Sequence, residues 1–404
     1  MKRILVLNAN IRERGTWFRA RKVARGLYHR GHDVTFVCQG NGWYRPLVRQ
    51  NRPRWLEWET ACWSPLRVEE GQSPLGLAQR VAMLRGEWDL VYTFSHQPVD
   101  AGVAYALRGR AGFWMTDWCD LWSSVEGGLH DTRFWAKPLP PFLQGWRGVY
   151  TRMSYRLEDA LERQVVRDSD AVSIIASPML KETRRLGIAD DRVLHLISGA
   201  DTTNIQPRDR EECRRELGIP ADDLLAVYVA NFTPDNQQLE GALKIAFREH
   251  PKLKVLSVGP TWYGPDGFAA RQVAAGRIID MGRQPFAEIP RFLGAADFLL
   301  MPIRDTPLNR CRWPNKFGDY MASGRATATT LVGDMGRVCT HHEVGTAGPP
   351  TEEGLADAIG RLAADRGLRE ELGENAARVA RTAFSWGSRL RRLVAYLKHR
   401  GLDL

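Results

Sequence analysis

Arg310, Arg312, Lys316 and Asp319 fall within one window of ten residues. The surrounding stretch, 298–330, reads FLLMPIRDTPLNRCRWPNKFGDYMASGRATATT. Its apolar start, Phe298-Leu299-Leu300-Met301-Pro302, predicts a buried strand, and a polar loop follows. Pro314 stands where a helix can begin, because its missing N–H would be an orphan there anyway. Gly324 stands where that helix ends, at the left-handed cap position. Arg325–Thr330 then returns as another strand. Bare N–H groups at a helix start, with cations close by, favour a phosphate. A carboxylate one turn further in can accept both hydroxyls of a ribose. Together these groups suit a nucleotide diphosphate. A plain strand-loop-helix-strand crossover with a surface Lys and Asp is the simpler alternative.

Other candidates stand where parallel sheets place ligands, just beyond strand ends. Gly15-Thr16 follows the first strand, His96 follows Leu90–Phe94, and Asp117 and Asp120 follow a strand over Gly112–Met115. Either acid could orient a hydroxyl or contact a sugar, or simply cap the next element. Gly15 could equally mark a turn, and a lone His such as His96 is often structural. The base of a nucleotide is expected beside Gly282-Arg283-Gln284, after a strand at Arg277–Met281. Residues 122–150, with three Trp, lack helical or strand periodicity. They suit either an acceptor wall, since sugar faces and lipid chains both stack on indoles, or a packed surface loop.

The elements that must hold these groups alternate. Ile4–Asn8 reads as a strand, Asn10–Thr16 as a loop, 17–30 as a helix capped by Gly31, and Asp33–Cys38 as a strand. Such a βαβ unit implies a parallel sheet. Helical stretches at 75–86, 97–109 and 150–167 separate strands at Leu90–Phe94, Gly112–Met115 and Ala171–Ile175. A second series begins with Leu224–Ala230 and continues through helix 237–249, Leu253–Val258, Arg277–Met281, helix 286–294 and Asp297–Met301. This is doubly wound α/β organisation. A chain of 404 residues is long for one such domain, so two are expected.

The 44% hydrophobic content suffices for two cores, and no run approaches the ~18 apolar residues of a membrane span. The N-terminal apolar run is too short for a signal peptide. Six scattered cysteines show no Cys-x-x-Cys pair and suggest neither zinc nor disulfides, which makes a reducing cytoplasm the default compartment. The net charge of +10 is uneven: residues 1–54 hold thirteen Lys and Arg against Glu13 and Asp33. A basic segment over 12–54 is expected to draw anionic partners, among them an anionic membrane surface. Arg19, Lys22 and Arg25 cluster on a helical wheel beside Trp17 and Phe18, as in a helix lying on a bilayer. A solvated basic face is the alternative. No helix-turn-helix, zinc finger or aromatic RNA-binding signature is present, so nucleic acid is not an expected partner.

The run Pro314-x-Lys316-x-x-Asp319-Tyr320-x-Ala322-x-Gly324 resembles the P-x-K-x-x-E-Y-x-A-x-G of glycosyltransferase family 4, whose members have the two-Rossmann-domain GT-B architecture. R-G-H-D-V at 30–34 resembles the R-G-H-x-V that closes the first helix of many such enzymes. Ser198-Gly199-Ala200-Asp201 is similar to the family's interdomain linker, and T-D-W-C-D-L-W around Asp120 to the R-D-L-W of members that build surface polysaccharides. Phe384-Ser385-Trp386 precedes a basic amphipathic helix, about 386–399, like the family's crossover helix. The resemblance implies two Rossmann-like domains facing each other across a cleft: an acceptor-side domain over 1–200 with 386–404, and a donor domain over 201–385. It implies transfer of a sugar, with retention of configuration, from a nucleoside-diphosphate sugar to a hydroxyl acceptor (glycan, lipid-linked or small molecule).

Three departures matter. Asp319 replaces the usual Glu. The loop at 231–237, NFTPDNQ, lacks the family's phosphate-holding cations, which leaves the task to Arg310 and Arg312. Cys311 stands where an acid would contact the sugar, with Asn309 the nearest polar substitute. Asp117 and Asp120 are three apart, wrong for a D-x-D metal clamp. A metal-free mechanism using Arg310, Arg312, Lys316 and helix N–H groups is therefore expected, with no cofactor beyond the donor. A sugar-nucleotide 2-epimerase on the same scaffold, or a degenerate protein that only binds a nucleotide sugar or partner, are the rival readings.

Overall fold

Apolar strand segments alternate with amphipathic helices, and two sheets result. The computed structural model describes residues 1–42, 45–62, 72–121, 147–230 and 235–404, with side chains from 156 onward in the fourth segment. The chain divides into two units, Met1–Ile197 with Arg389–Leu404, and Ser198–Ser388. The first unit is thus discontinuous in sequence, and the helix Trp386–His399 runs across its second boundary.

The first unit holds β1 (Arg3–Ile11), β2 (Asp33–Gln39), β3 (Leu47–Arg52), β4 (Trp55–Thr60), β5 (Leu90–Thr93), β6 (Trp114–Trp118), β7 (Ala171–Ile174) and β8 (Val193–His195). They form one sheet in the order β3-β4-β2-β1-β5-β6-β7-β8. Every pair is parallel except β3 with β4. The strand order reverses between β1 and β5, so the chain ends after these strands open onto a switch point. Leu5, Leu7, Val91, Trp114 and Val165 share one core beside this sheet.

The second unit holds β9 (Leu224–Val229), β10 (Leu253–Val258), β11 (Ile278–Asp280), β12 (Phe298–Met301), β13 (Thr327–Thr330) and β14 (Gly345–Gly348). Their order, β11-β10-β9-β12-β13-β14, is that of a dinucleotide-binding sheet, parallel throughout, with the switch point between β9 and β12. The helix Asn315–Ala322 lies between β12 and β13, as the sequence implies, and Gly324 has φ +71°, the left-handed cap.

Three expectations need correction. The β3–β4 hairpin is not evident from sequence, because β3 carries only two apolar residues and lies at the sheet edge. The strand expected at Gly112–Met115 is shifted: β6 begins at Trp114 and contains Asp117. Asp117 therefore stands within the sheet opposite Ser173, not in a loop after it. The helix Trp17–His29 does not expose a basic stripe through Arg19, which is 1% exposed, and Trp17 is buried too. Arg19 donates to both carboxylate oxygens of Asp117, each at 2.8 Å, and to the Leu196 carbonyl at 2.6 Å. Burial opposes the Arg19 charge, and Asp117 more than offsets it, raising the guanidinium pKa.

The N-terminal charge excess is likewise smaller in space than in sequence. Arg21 pairs with Glu57, Arg49 with Glu59 and Lys2 with Asp89, all acids beyond residue 54. A charge window along the chain cannot see these partners.

Removing one member of a buried ion pair strands the other. Asp117→Ala should lower the unfolding free energy by about 3–5 kcal/mol, read from urea denaturation. The double variant Arg19→Met/Asp117→Leu should lose less. Equal losses in the two would sink the buried-charge account.

Candidate active site

β9 ends at the switch point of the second unit, and there its side facing β12 is held by side chains, while its other side stays paired with β10. The Val229 N–H donates to the Tyr320 hydroxyl at 2.9 Å, and Lys316 Nζ donates to the Val229 carbonyl at 2.7 Å. Both side chains come from the helix Asn315–Ala322, four residues apart and hence on one face. Lys316 Nζ also lies 5.7 Å from the centroid of the Tyr228 ring. The N-cap residue Pro314 has no side-chain group to cap this helix, and apart from the Phe317 N–H, which donates to the Pro314 carbonyl at 3.0 Å, its first N–H groups suit an anion.

Asp235, the first residue of the helix Asp235–Glu249 after β9, accepts from the Arg304 N–H at 3.0 Å and from the Asn309 amide at 2.8 Å. Asn309 also donates to the Arg304 carbonyl at 2.8 Å, and its oxygen accepts from Arg312 at 3.2 Å. The loop after β12 is thereby tied to the loop after β9. Burial pushes the Lys316 ammonium down to about 8, with Arg312 repulsion adding to it and Asp235 and Asp319 opposing it. These charges therefore occupy one neighbourhood.

Of the donor-side residues named from sequence, Asn309, Arg312, Lys316 and Asp319 come together here. Arg310 does not: its guanidinium makes a two-point pair with Asp305, at 2.5 and 2.7 Å, on the surface. Arg283 is exposed beside Gly282, whose φ is +61°, after β11. Asn231–Pro234 of the cation-free loop lie outside the described residues. Asp235 is the residue sequence reasoning missed. Its signal is positional, a helix start after a switch-point strand, and not the cation that the family pattern puts in that loop.

At the first unit's switch point β1 runs on to Ile11, past the expected end at Asn8, and its Asn8 and Asn10 close the following loop together with Thr16. Asn10 Oδ1 accepts from the Thr16 N–H at 3.0 Å and hydroxyl at 2.6 Å, and the Asn8 amide donates to that hydroxyl at 2.7 Å. Gly15 takes φ +50°, and a Cβ there would lie 2.9 Å from Asn10 Oδ1. Beyond β5, the buried His96 Nε2 meets Glu158 Oε1 at 3.2 Å, and the Gln97 amide donates to the same oxygen at 2.6 Å. Glu158, on the helix Arg147–Asp168, was not foreseen. Asp120 is half-buried just after β6, while Asp117 has both oxygens engaged inside the sheet. The expected aromatic wall at 122–150 lies outside the described residues up to 146, and 147–150 begin a helix.

Residues 14–197 match the family described as glycosyl transferase 4-like domain, and residues 224–365 match that described as glycosyl transferases group 1. A D-inositol 3-phosphate glycosyltransferase of Actinosynnema mirum is 29% identical over 262 residues, 58% of either chain. The chain spans about three fifths of the length of the curated relatives it matches. Among solved structures, a sucrose-phosphate synthase from Thermosynechococcus elongatus aligns with a TM-score of 0.72 at 17% identity, over 99% of both chains. Anabaena Alr3699/HepE in complex with UDP aligns at 0.69 and 15% identity, over 99% of this chain and 100% of that one. At such identities the likeness is one of fold.

Lys316 supplies a pH test. Its depressed pKa means the ammonium is lost as pH rises through about 8. Affinity for a nucleoside diphosphate should fall across that value and should stay flat in Lys316→Ala, by calorimetry at constant ionic strength. The unfolded side chain holds its proton to higher pH, so the same group raises stability as pH climbs through about 8.

Proposed function

Because the chain belongs to the GT-B glycosyltransferases related to family 4, we propose that it moves a sugar from a nucleoside-diphosphate sugar to a hydroxyl acceptor, with retention and without a metal ion. The observation that supports this best is the convergence of Lys316, Arg312, Asn309 and Asp235 at the switch point of the second sheet, one helical turn from Asp319.

Breaking the anomeric C–O bond leaves positive charge on the sugar and negative charge on the departing diphosphate. Lys316, Arg312 and the uncapped helix start are fixed cationic and dipolar groups that would stabilise that leaving charge. Being held already by Val229 and Asn309, they need little reorganisation as charge develops. Asp319, one turn along, would accept the ribose hydroxyls. Asp235 would hold Asn309 and the loop start in place and balance part of the positive charge. On the acceptor unit, Thr16, His96 and Asp120 would line the open end of the sheet, with Glu158 fixing the His96 ring. The uridine nucleotide of the Anabaena neighbour makes UDP the first donor nucleotide to test.

The exposed edge strand β3 supports a peripheral contact with an anionic membrane. Leu47 and Val48 are 41% and 51% exposed, and Arg45, Arg52 and Arg54 are exposed around them. No helix among the described residues is long and apolar enough to cross a membrane.

Nucleoside diphosphates and their sugars should raise the melting temperature by mass action in a thermal-shift panel. Lys316→Ala and Asp319→Ala should each weaken binding at least tenfold, about 1.4 kcal/mol. Unchanged affinity in both variants would remove the donor site. Vesicles with anionic lipid should carry the protein in flotation, and Leu47→Asp/Val48→Asp should release it. Flotation that ignores these changes would refute the membrane contact.

A further inference from the structure

The second unit carries a cavity of about 530 Å³ at the opposite end of its sheet from Lys316. Its floor is the chain entering β12, at Ala296 and Asp297, and β13, at Gly324 and Arg325. One wall is the linker 207–211, and the other is a face of the helix Arg366–Thr382. That helix approaches closely, since a Cβ on Gly373 would lie 2.5 Å from the Gly324 carbonyl. Parallel sheets use their carboxyl ends for chemistry, so this cavity is not part of the donor site. Its size is within the range of small-molecule pockets, roughly 300–1,000 Å³.

Six arginines line it: 208, 210, 325, 366, 369 and 381. Five acids line it as well, Asp209, Glu211, Asp297, Glu370 and Glu374, and three of them are committed. Asp297 accepts from Arg210 at 2.5 Å, Arg214 at 2.7 Å and the Leu225 N–H at 2.7 Å. Glu370 pairs with Arg366 at 2.7 Å, and Asp209 caps its helix by accepting from the Glu212 N–H at 2.7 Å. Arg325 and Arg369 are anchored differently, by carbonyl oxygens. Arg325 donates to Arg208 O at 3.0 Å and Gly294 O at 2.6 Å, and its Nε is buried without a hydrogen-bond partner. Arg369 donates to Leu362 O at 2.5 Å and Ala363 O at 3.2 Å. Carbonyls orient a guanidinium but do not neutralise it. Burial lowers the pKa of both, nearby arginines contribute to the lowering, and Asp297, with Glu370 for Arg369, opposes it without cancelling it. A doubly charged oxyanion would give these two guanidiniums a direct ionic partner, and guanidinium forks match its geometry.

We propose that this cavity is a second anion site, built for the phosphoryl group of a small molecule and separate from the nucleotide-binding edge. The inference does not depend on the proposed sugar transfer. Calorimetry on the full chain at constant ionic strength tests it, with inorganic phosphate, pyrophosphate and glucose 6-phosphate as probes and chloride as control. Lys316→Gln, which removes the donor-side cation, should still bind a phosphoryl probe saturably. Arg369→Gln/Arg381→Gln should weaken that binding at least tenfold while leaving UDP affinity intact. Tighter binding of glucose 6-phosphate than of phosphate would identify an organic phosphate as the ligand, and equal binding the free ion. Both results support the site. Arg325→Gln, checked for folding by thermal melt, should weaken it also. A response that chloride reproduces, or affinity unchanged in the double arginine variant, overturns the proposal. Loss of UDP binding in Lys316→Gln with the phosphoryl probe retained would show the two sites to be independent.

Discussion

A parallel strand at a switch point ends with one side unpaired, and its last peptide must find partners elsewhere. In β9 the groups on that side are the N–H and C=O of Val229, and both are met by one helix, through Tyr320 and Lys316. The consequence reaches well beyond two hydrogen bonds. The helix Asn315–Ala322 is fixed in direction, its open N-terminus is aimed beside β9, and the chain leading into it is brought over Asp235. Lys316 is thus a strut in the empty protein and a phosphate ligand in the proposed reaction. Its burial makes the charge costly, which is why it titrates lower than an ordinary lysine.

The two units meet the same problem in different ways. At the first switch point the chain after β1 is closed by Asn8 and Asn10 at the end of the strand and by Thr16 beyond it. The Asn8 carbonyl is reached from outside by Arg80, which also pairs with the buried Asp100. At the second, the loops after β9 and β12 are joined through Asp235 and Asn309. In each case a charged group is buried among partners that satisfy it, and the sheet edge is left rigid where ligands are expected.

The fold was legible in the sequence because its signals are local. Apolar runs of strand length, Gly31 and Gly324 at helix ends, and Pro314 at a helix start each act over a few residues. The donor helix was legible for the same reason. What escaped depends on distance. Asp235 gains its place by facing Asn309, 74 residues away, and no local pattern marks that. Arg310 and Arg312 look alike in sequence, yet Asp305 captures the first while the second turns to Asn309. Asp117 and Arg19 were each read as exposed, and they find each other across 98 residues. Buried charge pairs of this kind are the features that sequence periodicity cannot separate from surface polarity.

The first unit is interrupted by the second, and this bears on the order in which the protein assembles. During synthesis, residues 389–404 emerge only after the whole of 198–388. Leu390 then fills the space beside Gly26, where even a Cβ would lie within 2.0 Å of it. Tyr396 and Arg400 fasten the same helix to Asp191. The first unit must therefore wait, incomplete, for its last helix, while the inserted one has its full length of chain and can form ahead of it. A ribosome-bound nascent chain would hold a finished second unit and an unfinished first one, and residues 389–404 act as the latch that closes the first.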